Sequence, residues 1–143
     1  YKAAVGHLTK AVQELPNDAD AHNMLGYSYR KTGNFDKSME HYQRALKLDA
    51  NHRSAHEYLG ELYLDLNQMG NAEKQLAALK KACPLLGRCE EYDDLKQAID
   101  NYKAKKWRKE TWQTRRPETG GYIDQCSKCE LPHGYRRVDK WLK

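Results

Sequence analysis

The chain has 143 residues, 39% of them hydrophobic and 31% charged, with a formal net charge of +5. This composition fits one domain with an appendage, and no apolar run approaches the ~18 residues that a membrane-spanning helix needs. The chain opens on Tyr1 with no basic, apolar and small-residue leader, so it reads as a processed or truncated product.

Residues 1–14 read as a helix with small and apolar positions at Ala4, Leu8 and Ala11. Pro16 then marks a junction, where a missing N–H does least harm. Within 20–32 the residues Ala21, Leu25 and Tyr29 recur every four, forming one stripe of a helix, and Gly26 sits beside that stripe. Thr32, Gly33 and Asn34 signal a turn. The next helix carries small Ser38 and Ala45 on either side of Tyr42.

The pattern then returns at an offset of 34. Ala21, His22, Leu25, Gly26 and Tyr29 map onto Ala55, His56, Leu59, Gly60 and Tyr63. The second helix recurs three times, as Ala4, Ser38 and Ala72, then Leu8, Tyr42 and Leu76, then Ala11, Ala45 and Leu79, with Pro16, Ala50 and Pro84 sharing the slot that follows. Constant-period self-similarity is the mark of a solenoid. Residues 90–104 read as a closing helix with Tyr92, Leu95, Ala98, Ile99 and Tyr102 on one side. Asp93 and Asp94 lie early in it and Lys103, Lys105 and Lys106 late, the order the helix dipole favours. Charge changes near residue 103, since 103–143 hold 12 Lys/Arg and 5 Asp/Glu while the first 102 residues hold 13 and 15. All three tryptophans (Trp107, Trp112 and Trp141) fall in this basic tail.

The stretch LGYSYRKTGNFDKSMEHYQRALKLDAN resembles the tetratricopeptide repeat family, and LGELYLDLNQMGNAEKQLAALKKACP is similar to it, departing at Asn67, where a turn glycine is usual. The resemblance implies an all-α solenoid of helix–turn–helix units. It places the second helix of a partial repeat at 1–17, full repeats at 18–51 and 52–84, a capping region at 85–104, and a largely irregular basic, Trp-rich, Cys-containing tail at 105–143. Arrays of this kind need about three units and a cap. We therefore expect either further repeats before Tyr1 or a partner covering the first helix.

The family's groove is lined by the outward residues of each first helix, here Asn23, Tyr27, Arg30 and Lys31, then Glu57, Glu61, Leu64 and Asp65. One side would be basic and the other acidic, with Tyr27 and Leu64 offering apolar contact, which suits a peptide of mixed charge or a basic segment. The alternative is that these are solvated helix faces. One subfamily grips terminal carboxylates with a Lys/Asn clamp, and Asn23 and Tyr27 followed by Glu57 and Glu61 lack it.

Cys83 and Cys89 flank Pro84-Leu85-Leu86-Gly87-Arg88 and can reach the ~5.5–6 Å Cα separation of a disulfide. Free thiols and metal ligation are the alternatives. Cys126 and Cys129 stand two residues apart with His133 following, a spacing open to a local disulfide, free thiols, or zinc with His133 as a third ligand. The shared slot of His22 and His56 reads as a partly buried structural histidine, with a metal or proton role as the alternative. In the tail, Trp107, Trp112 and Trp141 suit an arm docked on the stack or a neighbouring subunit. Basic residues interleaved with aromatics also admit an anionic surface or nucleic acid, the less favoured partner.

The expected function is a protein–protein interaction scaffold that binds a partner protein or peptide, as a subunit of a complex or a homo-oligomer. It is not an enzyme, since no nucleophile–base set, paired carboxylates in a cleft or phosphate loop is visible. No cofactor is expected, zinc at Cys126 and Cys129 being the alternative. The cysteines favour a bacterial periplasm or other exported location over the cytoplasm.

Overall fold

The computed structural model describes residues 1–84 and 87–114, with side chains to residue 108. These residues form six helices and no strand: α1 (Lys2–Glu14), α2 (Ala19–Lys31), α3 (Phe35–Leu48), α4 (Arg53–Asp65), α5 (Met69–Ala82) and α6 (Glu90–Thr114). The strongest pairings are α2 with α3 and α4 with α5, the two hairpins that the 34-residue period implies. Helix α1 packs on α2, α3 on α4, and α6 on both α4 and α5. The result is an all-α stack.

Local chemistry sets the helix ends. Asp18 caps α2 by accepting from Ala21 N–H at 3.1 Å, and Asn34 caps α3 by accepting from Lys37 N–H at 3.3 Å. His52 plays the same part for α4, its Nδ1 accepting from Ala55 N–H at 3.3 Å. Gly33 takes the left-handed conformation after α2, with φ 81°, and Asn67, its counterpart 34 residues on, follows with φ 58°. Glycine takes this region freely, and asparagine is one of the few other residues that visit it. Asn67 therefore substitutes for the usual glycine and conserves the turn. In both turns the next N–H reaches back five residues, Asn34 to Tyr29 O at 2.9 Å and Gln68 to Tyr63 O at 2.7 Å.

Two apolar clusters hold the stack. Tyr42, Leu59 and Leu62 form one, bridging α3 and α4, with Tyr27, Phe35, Met39 and Tyr58 around them. Leu64, Ala72, Leu79, Leu95 and Ile99 form the other, joining α4, α5 and α6. The glycines mark the closest approaches. A Cβ on Gly26 would stand 2.8 Å from Tyr42 Cδ1, and one on Gly60 would stand 2.6 Å from the Leu95 methyls. The side chain pressed onto each glycine therefore comes from a different place, the second helix of the same repeat for Gly26 and α6 for Gly60.

Helix α6 runs ten residues beyond the expected end at 104. Lys, Arg, Glu and Gln continue a helix as readily as the residues before them, and the next proline is Pro117. The change in charge near 103 thus falls inside one helix, and Trp107 and Trp112 lie on that helix. Trp141, Cys126, Cys129 and His133 lie outside the described residues. No described helix is long and apolar enough to cross a membrane.

Candidate first-helix face

The charged positions of α2, α4 and α6 converge on one face. Arg30 of α2 reaches across to α4, where its Nη1 donates to Glu61 and its Nε donates to Asp65 at 2.7 Å. The basic and acidic sides expected of two neighbouring repeats are thus joined to each other. Arg30 is half-buried, and its charge is secured by two carboxylates although burial opposes it.

Glu57 stands apart from this network. Only 8% of the residue is exposed, and among the described residues its carboxyl makes no hydrogen bond or ion pair. Burial, then the charges of Glu61, Asp94 and Glu91, push its carboxyl up to about 7, with Arg30 acting in the opposite direction. Glu91 of α6 is engaged by Arg53 at 3.7 Å. Asn23 occupies the equivalent position one repeat earlier and is also buried, with 3% exposed and its Oδ1 unpartnered.

Aromatic rings flank these groups. Tyr27 of α2 lies 5.0 Å from Tyr58 of α4 between ring centroids, and Tyr1 meets Tyr27 edge-on at 5.9 Å. The Lys31 ammonium sits 5.0 Å over the Tyr27 ring. Burial raises the Tyr58 phenol above its ordinary value, as do Glu57 and Tyr27 beside it.

Asn23, Tyr27, Arg30, Lys31, Glu57, Glu61 and Asp65 therefore belong to this face or border it. Leu64 does not. It is buried in the α4–α5–α6 cluster, because α6 covers the side of α4 on which it stands. Periodicity within α4 could not reveal that covering, since it depends on where α6 docks. The burial of Glu57 and Asn23 was illegible in the same way, since it depends on how neighbouring helices dock, which for Asn23 on α2 does not include α6.

Cys83 and Cys89 come together with their sulfurs at bonding distance, 1.96 Å, and Cα atoms 5.9 Å apart, fastening the start of α6 to the end of α5. Trp107 is 57% exposed. Among the described residues, no group of three or more His, Cys, Asp or Glu is arranged to hold a metal.

The slot shared by His22 and His56 is a buried clamp. Each Nε2–H donates to a carbonyl six residues earlier, Pro16 at 3.2 Å and Ala50 at 3.1 Å, so the first helix of a repeat grips the chain entering it. The other ring nitrogen turns to the second helix, where His41 and Gln75 stand 34 residues apart. Burial, then His22, lowers His41 below the ordinary histidine range. Aligning His41 with Gln75 at the repeat offset was the available signal for this pairing.

Residues 19–52 match the family model of the tetratricopeptide repeat. No curated protein matches the sequence.

Proposed function

We infer that this chain, which carries a tetratricopeptide repeat, is an interaction scaffold whose α2–α4–α6 face takes a basic segment of a partner protein. The repeat itself supports protein binding in general terms. The observation that favours a basic ligand is Glu57, a buried carboxyl with no cation of its own, set among Glu61, Glu91 and Asp94. Arg30 and Arg53 are already engaged by Glu61, Asp65 and Glu91, and Arg30 offsets the Glu57 charge only in part. A Lys or Arg side chain brought by a ligand would restore the balance. Tyr58 offers a ring beside it for the aliphatic stem and the cation, with Tyr27 and the Lys31 ammonium over it at the border.

The test is fluorescence anisotropy with two labelled peptides of equal length, one rich in Lys and Arg and one rich in Glu. We expect the basic peptide to bind, the acidic one not to, and Glu57→Gln to weaken binding about tenfold or more above pH 7. Well below pH 7 the carboxyl is uncharged, so the parent and Glu57→Gln should bind alike there. Equal affinity for the two peptides, or a Glu57→Gln effect independent of pH, would overturn the reading.

A further inference from the structure

The first repeat holds a group that the second does without. His22 of α2 and His41 of α3 face each other with their Nδ1 atoms 3.0 Å apart and their rings stacked at 5.3 Å. At the equivalent positions the second repeat has His56, with the Gln75 side-chain amide 2.7 Å from its Nδ1. A glutamine satisfies that ring nitrogen in either protonation state, its Oε1 accepting from Nδ1–H of a charged ring or, with the amide turned over, its N–H donating to a neutral one. Packing and hydrogen bonding do not require a second imidazole at position 41.

The carbonyl clamp has a chemical consequence here. By donating Nε2–H to Pro16 O, a neutral His22 keeps its lone pair on Nδ1, directed at His41. An imidazole fixed by a backbone carbonyl, with its free nitrogen presented, is how proteins orient histidine toward a metal. Tyr29, stacked on His41 at 5.6 Å, restrains the second ring.

We propose that His22 and His41 form a two-histidine site between α2 and α3 for a borderline divalent metal ion of the zinc class. Two bonds of about 2.0–2.1 Å meeting at a tetrahedral angle put their nitrogens about 3.3 Å apart. The observed 3.0 Å is close to that separation, and turning each ring by roughly 35° off the line between the nitrogens aims both lone pairs at one ion. The proton that His41 Nδ1 shares with His22 moves to His41 Nε2, so two neutral donors bind without net proton release. The rings line a surface cavity of about 370 Å³ whose other walls include Glu40, Arg44 and Lys47. Solvent fills the remaining positions, and the two nearby cations keep the affinity modest. The site lies between the two helices of one repeat and is independent of the peptide-binding reading.

Isothermal titration of zinc chloride into the full-length chain, with the histidine ring resonances followed by NMR, tests this. Cys126, Cys129 and His133 can bind zinc as well, so the comparison between variants is decisive. His41→Gln, which installs the second repeat's own residue, should leave the circular dichroism and melting temperature unchanged. It should also weaken one zinc equivalent by at least the roughly 10–100-fold that loss of a ligand's support costs. Gln75→His should add one equivalent by building the same pair around His56. Zinc should shift the His22 ring resonances in the parent. Unchanged zinc affinity and stoichiometry in His41→Gln, or no added equivalent in Gln75→His, would overturn the proposal.

Discussion

The two repeats share a backbone and differ in what fills the gap beside the first helix. In the first, Tyr42 of α3 presses on Gly26 and is wholly buried between α3 and α4. In the second, the same position is Leu76, half-buried, and Leu95 of α6 presses on Gly60 instead. A shorter side chain leaves room that the next helix takes, and α6 contacts α4 more extensively than α4 contacts α2. A repeat therefore conserves the need to fill a slot more strictly than the element that fills it.

Tyr42→Ala offers the sharpest break in this comparison. It removes a fully buried aromatic ring and should cost about 3–5 kcal/mol in urea unfolding, whereas Leu76→Ala should cost less than half as much. Equal costs would mean that Tyr42 is not the wedge between the repeats. Burial raises its phenol, and its hydroxyl and Ser38 Oγ are near each other without a hydrogen bond of good geometry among the described residues. Tyr42→Phe should accordingly be tolerated.

A second difference is electrostatic, between Asn23 and Glu57 at one repeat position. The folded-state value of Glu57, about 7, lies above its ordinary 4.5, so between these values the folded chain holds a proton that the unfolded chain releases. Stability from this residue is full below about pH 4.5, falls as pH rises toward 7 and levels off above it. Glu57→Gln should match the parent near pH 4 and exceed it near pH 8 by on the order of 1–3 kcal/mol. Urea midpoints measured across that range check the sign, and a constant difference would contradict it.

The smallest expected effect concerns the turns. Asn67→Ala and Gly33→Ala should each cost about 1–2 kcal/mol, because alanine resists positive φ. Asn67→Gly should be close to neutral, since glycine recovers the backbone freedom but loses the acceptor for Tyr102 O–H at 3.2 Å. Thermal melts of the three variants rank them directly.

Much of this architecture was legible in the 34-residue period. Leu25, Tyr42, Ala45, Leu59, Ala72 and Leu79, all prominent in the repeat, are in or beside the core, apart from the sites where α6 intervenes. The short loop containing Pro and Gly allowed a Cys83–Cys89 disulfide alongside free thiols and metal ligation, and the structure brings the two sulfurs to bonding distance. The face residues were legible as positions, and their partnerships were not. Arg30 is drawn to Glu61 and Asp65 because adjacent first helices bring opposite charges together, and Leu64 is buried because α6 docks over it.

By itself the amino-acid order determined the helices, their caps and turns, and the hairpin stack. These depend on interactions over a few residues and on a stripe that every repeat restates. Only the tertiary structure decided that Glu57 lacks a counter-charge and that His22 meets His41 across two helices. It also decided that Leu95, not Leu76, closes on Gly60. Each of these depends on the depth and angle at which one helix settles on another, which no residue spacing along the chain encodes alone.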